Sequence, residues 1–305
     1  MNFYKKIFPK KLRFAILKAL RFIPDKPMIK LQYRIKLKRK LNLKEPKRYT
    51  EKLQWYKLYY RNDKMPICVD KYMVREYIEE KGLSDILVRL YAVYESPDEL
   101  DFAALPDKFV LKTTNGSGTN IICRDKSEWN EEELKKKIKG FFKQSSASAG
   151  REWAYAKGKP RVIVEELLED SSTSDGSICD YKFLCFGGKP EYVVYDVDRF
   201  TNHKRNIYDT SWTDLHVESD CPCSSEEYLK PKNLDKMLEI ARILSEDFPA
   251  VRVDLYNING KIYFGELTFF PWSGYVQYTP DSFDFEMGKK FVLPEKTECK
   301  VKDCN

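Results

Sequence analysis

Three stretches predict an α+β fold with antiparallel sheets, because each runs strand, tight turn, strand while the helical patterns stand outside the pairs. Residues 107–125 (DKFVLKTTNGSGTNIICRD) turn at Asn115-Gly116-Ser117-Gly118, Tyr181–Asp196 at Gly187-Gly188, and Val251–Phe269 at Asn259-Gly260. With 305 residues, 42% of them hydrophobic and 33% charged, the chain has material for one large domain or two modest ones.

In chain order, residues 1–64 read as basic and mainly helical. Leu12, Ile16, Ala19, Leu20 and Ile23 share one helical face with Lys11, Lys18 and Arg21 away from it, and Pro24 ends the pattern. Such a helix either lies on an anionic leaflet or docks on its own domain. Leu31, Tyr33, Ile35 and Leu37 alternate as a strand would. Thr50 is placed to cap a helix carrying Leu53, Trp55 and Leu58. Residues 68–82 read as one helix closed by Gly82. After the first hairpin comes a charged helix from Glu131 to Phe142. Residues 144–160 read as a flexible connection between lobes. A strand at Val162–Glu166, the second hairpin, a helix from Leu234 to Asp247 and the last hairpin complete the chain. The expected division is 1–64, a basic segment; 65–160, a first lobe with the Gly-rich loop; and 161–305, a second lobe.

Charge is unevenly spread. Residues 1–48 hold 17 Lys/Arg against two acids, Asp25 and Glu45, a balance of +15, whereas the remainder carries −8. Because the basic character avoids the main body, a nucleic-acid partner is not expected. No stretch reaches the ~20 apolar residues of a membrane span. Eight cysteines are scattered, with only Cys221-Pro-Cys223 close together, and two histidines accompany them. That pattern argues against zinc and for reduced thiols in the cytoplasm.

Two stretches have the composition of chemistry. In the first hairpin, Lys112 precedes Asn115, Gly116, Ser117 and Gly118. A loop of this kind offers backbone N–H donors to phosphates with no Cβ in the way, but it lacks the Gly-Lys-Ser/Thr ending and the helix of a P-loop. An ordinary turn reads equally well. In the last hairpin, a strict two-residue loop would pair Val253 with Glu266. A one-residue bulge instead pairs Asp254 with Glu266 and Arg252 with Thr268, and sets Val251, Val253 and Leu255 against Phe269, Leu267 and Gly265. Two carboxylates, a hydroxyl and a guanidinium then share one face, a set suited to Mg²⁺ bridging phosphates. An exposed face with plain Arg–Asp pairing is the alternative.

Taken together, Asp70-Lys71, Phe109-Val110-Leu111-Lys112, Val162-Ile163-Val164-Glu165-Glu166-Leu167 and Arg252-Val253-Asp254…Glu266-Leu267-Thr268 resemble the ATP-grasp superfamily in order and spacing. The resemblance extends over most of the chain. It includes Glu51-Lys52-Leu53-Gln54-Trp55 and Asp180-Tyr181-Lys182-Phe183, and is nearest to the TupA-like branch, linked to teichuronopeptide and surface-polysaccharide synthesis. It implies an ATP-grasp fold in which two lobes clasp ATP. Lys71, Lys112 and Lys182 would contact ATP, with Asn115, Gly116, Ser117 and Gly118 closing over its phosphates. Glu165, Glu166 and Leu167 would read adenine, and Glu169 or Asp170 the ribose. Asp254, Glu266 and Thr268 would hold Mg²⁺, although many such enzymes have Asn where Thr268 stands. Arg252, with Lys204 or Arg205, would steady the transferred phosphoryl group, and Ser273 and Gly274 a developing oxyanion. The basic helical segment stands where such enzymes carry a Rossmann-like domain.

The activity so implied is carboxylate–amine ligation through an acyl phosphate, in surface-polysaccharide or capsule synthesis, with a uronic acid and an amino acid as substrates. The expected location is the cytoplasm, with peripheral contact to the inner face of a membrane through residues 1–48. Two enzyme classes compete: a sugar kinase sharing the same ATP residues, and a glycosyltransferase using Asp196-Val197-Asp198. A binding module without catalysis is the third alternative.

Overall fold

Ile29, Tyr33 and Leu37 recur every four residues and form the buried face of α1 (Asp25–Leu37) in the computed structural model, which describes residues 17, 19–116, 118–142, 150–170, 176, 178–197 and 203–297. The strand expected over Leu31–Leu37 is therefore a helix. Its alternation is broken in space, since Tyr33 and Leu37 are buried while Leu31 and Ile35 are exposed. Leu12 and Ile16 of the expected amphipathic helix lie outside the described residues.

Helix α2 (Tyr49–Tyr59) follows. Thr50, expected as its cap, lies inside the first turn and instead bonds Asp284 through its N–H (2.9 Å) and Oγ1 (2.7 Å). Glu51 does the capping, accepting the N–H groups of Lys47 (3.0 Å) and Arg48 (3.2 Å). The single helix expected over 68–82 is two, α3 (Lys64–Val69) and α4 (Val74–Glu80). Asp70 breaks it, because its Oδ1 takes the N–H groups of Tyr72 (2.9 Å) and Met73 (3.0 Å) and starts a new helix. Gly82, at φ +71°, follows α4 as the left-handed stop.

The first sheet has the order β1 (Leu90–Tyr94), β4 (Val162–Glu165), β2 (Phe109–Thr113), β3 (Asn120–Cys123), all antiparallel. Helix α5 (Glu131–Phe142) covers one face, packing Leu134 and Ile138 on Phe109, Leu111, Val162 and Val164. Strand β4 hydrogen-bonds between β1 and β2, on the far side of the division drawn at residue 160. The described part of the 144–160 connection is packed rather than loose: Ala154 is buried and Arg151 pairs with Asp25 at 2.8 Å.

The second sheet has the order β7 (Lys204–Asp209), β6 (Lys189–Val197), β5 (Asp180–Phe186), β8 (Ala250–Ile258), β9 (Lys261–Thr268), again antiparallel. Its apolar face joins Leu234, Met237, Ile240, Ala241 and Leu244 of α6 (Leu234–Ser245) in the main core, to which α2, α3 and α4 also contribute. The six described cysteines are free thiols. No helix among the described residues is long and apolar enough to cross a membrane.

Helix α7 (Ser282–Lys290) crosses the start of α2, and Gly288 lies at the contact. Replacing an interior helical glycine by alanine ordinarily gains about 1 kcal/mol. Here a Cβ would collide with the carbonyl oxygen of Lys47 and lie 3.0 Å from the carbonyl carbon of Arg48, backbone atoms with little room to move. Overpacking of this kind costs about 1–3 kcal/mol. Gly288→Ala should therefore lower the melting temperature; a melting temperature at or above the parent's would contradict this packing.

Candidate active site

The pleat sorts the second sheet into an apolar and a charged face. Lys182 pairs with Asp254, Asp254 with Glu266, Arg252 with Thr268, Asp180 with Asp196, and Asp196 with Arg205. Residues paired across strands share a face, as do residues two apart, so all of these side chains point away from α6. The expected register holds at Arg252, Val253 and Asp254. Leu255 pairs with Phe264 rather than Gly265, because Gly265 is the bulged residue. A Cβ at Gly265 would lie 3.0 Å from the Asp254 carbonyl oxygen. The Asn259-Gly260 turn, with both φ values positive, closes the hairpin as a two-residue loop.

Arg252 is the hub. Its Nε and Nη2 donate to Asp254 Oδ1 and Oδ2 at 2.6 and 2.7 Å, and Nη2 also reaches Glu266 Oε1 (2.8 Å) and Thr268 Oγ1 (3.1 Å). Thr268 donates to Glu266 Oε1 at 2.9 Å. Burial pushes Asp254 up to about 7 against the pull of Arg252, with the Glu266 charge adding to the rise. Burial also works to raise Glu266, but Arg252 and Lys71 outweigh it and hold it low. Two carboxylates and a hydroxyl form an all-oxygen donor set, which fits Mg²⁺ that completes its shell with water and phosphate oxygens. Among the described residues no group of three or more His, Cys, Asp or Glu could hold a metal without such help.

A second buried network adjoins it. Asp196 accepts from Arg205 Nε (2.6 Å) and lies 2.7 Å from Lys182 Nζ and 3.1 Å from His203 Nε2. Burial would raise the Asp196 carboxyl, yet Lys182 and Arg205 hold it well below the usual range. Arg205 also reaches Asp220 at 2.7 Å. The Trp272 ring lies 4.6 Å from the Arg205 guanidinium and 5.2 Å from that of Arg252, linking the two clusters. Of the two expected helpers of Arg252, the pleat puts Arg205 on the charged face and Lys204 on the opposite one. Asp198 lies outside the described residues.

The first lobe supplies a facing set. On β2 the alternation buries Leu111 with α5 and turns Lys112 outward, where Nζ lies 2.7 Å from Glu165 Oε2 of β4. Arg75 approaches the other Glu165 oxygen at 3.4 Å. Lys71 donates to the Gly116 carbonyl at 2.6 Å, tying α4's approach to the Gly-rich loop. Burial pushes Lys71 down, against the pull of Glu266. Lys71, Arg75, Lys112 and Glu165 line one cleft together with Phe264 and Gly265 of β9, so the cleft runs between the sheets. In the loop, a Cβ at Gly116 would collide with Thr119, and Gly118 has φ +68°. Asn115 is half-buried, and Ser117 lies outside the described residues. The Glu166 N–H bonds the Arg89 carbonyl (2.9 Å), and Leu167 follows it beyond β4. Glu169 pairs with Lys108 at 2.9 Å and with Arg124 at 2.5 Å, both partners exposed.

Ser273 and Gly274 lie in a strained turn: Trp272, Ser273 and Gly274 all have positive φ, at 49°, 55° and 67°. The Ser273 N–H is taken by the Phe270 carbonyl (2.8 Å), and its hydroxyl is held by Glu152. Helix α2 clamps the turn from below. Gln54 Nε2 donates to the carbonyls of Ser273 (2.9 Å) and Gly274 (3.0 Å), and Lys57 Nζ to that of Ser273 (3.2 Å). Lys57 is only 2% exposed, and burial pushes it down to about 8 despite the nearby Glu152 and Asp25. Sequence reasoning did not single out Lys57, Glu152 or Trp272: folding alone brings Lys57 and Glu152 to Ser273, and Trp272 to Arg205 and Arg252.

A Cβ at Gly274 would collide with Gln54 Nε2 and lie 3.0 Å from Leu53 Cβ. Gly274→Ala should cost about 1–3 kcal/mol, the usual range for a residue forced into sparsely populated backbone. The cost should shrink, without vanishing, in a Gln54→Ala background, where the Nε2 collision is gone but the positive φ and the Leu53 approach remain. Equal losses in both backgrounds, measured by denaturant unfolding, would rule out the clamp.

The chain resembles the D-alanine–D-alanine ligase of Bacillus anthracis in complex with ATP, at 14% identity over 67% of this chain and 54% of that one, with a TM-score of 0.40. For the L-amino acid ligase of Bacillus licheniformis the values are 13%, 77%, 53% and 0.44. For the ADP complex of N5-carboxyaminoimidazole ribonucleotide synthetase they are 15%, 66%, 45% and 0.42. The chain thus spans about half the length of these structures. Comparison with curated proteins gives no match. The model of the TupA-like ATP-grasp family matches residues 51–292, most of the chain, and the protein therefore belongs to that family.

Proposed function

We propose that the protein is an ATP-dependent carboxylate–amine ligase. The observation that carries this reading is the hairpin β8–β9, which gathers Arg252, Asp254, Glu266 and Thr268 on one face beside a cleft rimmed by Lys71 and Lys112. A substrate carboxylate oxygen would attack the γ-phosphorus of ATP, ADP would leave, and an acyl phosphate would form. The amine would then add to the acyl carbon and expel phosphate, losing a proton. Mg²⁺ held by Asp254 and Glu266, with Thr268 beside them, would neutralise phosphate charge. The protein's own part is positioning and electrostatics. Lys71 and Lys112 would hold phosphate oxygens, Gly116 to Gly118 would cover them, and Arg252 would face the phosphoryl group in transfer. Lys182 would support ATP from β5. Glu165, Glu166 and Leu167 would line the adenine end, and Ser273 with Gly274 would border the acyl group.

The family resemblance favours surface-polysaccharide assembly as the setting, with a uronic acid or amino acid carboxylate. The +15 balance of residues 1–48 supports contact with a negatively charged membrane surface. The glycosyltransferase reading loses support because the chain belongs to the TupA-like ATP-grasp family.

With ATP, Mg²⁺, hydroxylamine and a panel of uronic and amino acids, a ligase should release a hydroxamate, since hydroxylamine traps acyl phosphates. Asp254→Asn and Glu266→Gln should each abolish it in a protein that still folds, with Asp254→Asn lowering the melting temperature because Arg252 loses its paired charge. A stable sugar phosphate with no hydroxamate would instead make the protein a kinase. Lys112→Ala should weaken ATP binding by about 1.5–3 kcal/mol, the range of a lost charged hydrogen bond. Unchanged affinity by calorimetry would make the Gly-rich loop a plain turn.

A further inference from the structure

Leu31 and Ile35 give the α1 sequence its misleading alternation, and the helix leaves them 47% and 45% exposed. They stand one turn apart on the side opposite Ile29, Tyr33 and Leu37. Phe22, just before α1, is 78% exposed. Lys30 and Arg34 flank the stripe on one side and Lys38 follows at the end of the helix, all three exposed. The only acid in α1 is Asp25, which Arg151 neutralises. Apolar side chains kept in water beside a row of cations contribute nothing to the core, whose side of α1 is already filled.

We propose that this face of α1 docks on an anionic lipid surface, Leu31 and Ile35 entering the headgroup–acyl boundary while Lys30, Arg34 and Lys38 meet lipid phosphates. The inference rests on the reading of residues 1–48 as membrane-contacting and names the face that makes the contact. Phosphates alone, as on a nucleic acid, would reward only the cations; the apolar stripe selects a surface with an acyl layer beneath its charge. The Lys and Arg stems can lie along that boundary with their charged heads outward. Behind the face, Gln32 accepts a hydrogen bond from Tyr275 at 2.8 Å, next to the strained turn of the candidate site. Docking would therefore hold that side of the enzyme near the membrane.

The test uses the full chain in flotation with phosphatidylcholine vesicles, with and without phosphatidylglycerol. The parent should float only with the anionic lipid and should be released by high salt. Leu31→Gln/Ile35→Gln should lower partitioning about tenfold, the scale expected for two half-buried aliphatic side chains, with the melting temperature unchanged. Parent-like flotation of that variant, alongside loss on Lys10→Gln/Lys11→Gln/Arg13→Gln, would overturn the face and leave the segment's membrane contact standing. No flotation by the parent would overturn both. Binding to a DNA duplex that matches vesicle binding and ignores the Leu31 and Ile35 changes would also overturn the proposal.

Discussion

Arg252 can be buried only because Asp254, Glu266 and Thr268 meet it, and that requirement organises the second sheet. A guanidinium withdrawn from water costs several kcal/mol unless its donors are satisfied, and removing one partner of such a pair strands the other. Two-residue periodicity alone would not bring Glu266 opposite Asp254. The bulge at Gly265 absorbs one residue, so the strand beyond it returns in register with Thr268 opposite Arg252. Glycine suits this position because the Asp254 carbonyl leaves little room for a side chain. The same shift turns Val253 and Leu267 toward α6, so one bulge sets both the apolar core and the charged face.

The charged face makes its demands on the N-terminal segment as well. Trp272 lies against both Arg205 and Arg252, and its backbone is left-handed, as is that of the two residues after it. Such a run costs about 1–3 kcal/mol per non-glycine residue and persists only where its surroundings over-determine it. Gln54 and Lys57 supply that determination from α2, by bonding the carbonyls of Ser273 and Gly274. Helix α2 is in turn fastened by Thr50 to Asp284 of α7. The early helices are thus part of the framework that shapes the site.

Legibility in the sequence followed the range of the interaction. The last hairpin could be read, down to the pairing of Asp254 with Glu266, because cross-strand polarity is written in consecutive residues. Helix α5 could be read because Glu131 to Glu133 open it and its apolar residues keep helical spacing. Leu31 and Ile35 misled, since period two and period 3.6 both contain Tyr33 and Leu37, and only burial tells which apolar residues face the core. Asp70 hid a helix break, as a short local hydrogen bond outweighed an otherwise continuous helical pattern. Gln54 belonged to a recognisable motif, yet its partners lie 219 and 220 residues away, and no local pattern announces such a bond.

The pairing of opposite charges in the cleft bears on how a polyanionic substrate would enter it. Lys112 is held by Glu165, Arg252 by Asp254 and Glu266, and Lys71 by a carbonyl of the Gly-rich loop. Left unpaired at this depth, each ion would carry a desolvation cost greater than most single interactions return. The internal pairs therefore act as placeholders. A nucleotide arriving with its metal would bring both signs of charge, so carboxylates could exchange a cationic side chain for the metal while the released cations turned to phosphate. Neither ligand alone offers every group a new partner. The arrangement thus favours joint over separate entry, through neutralisation.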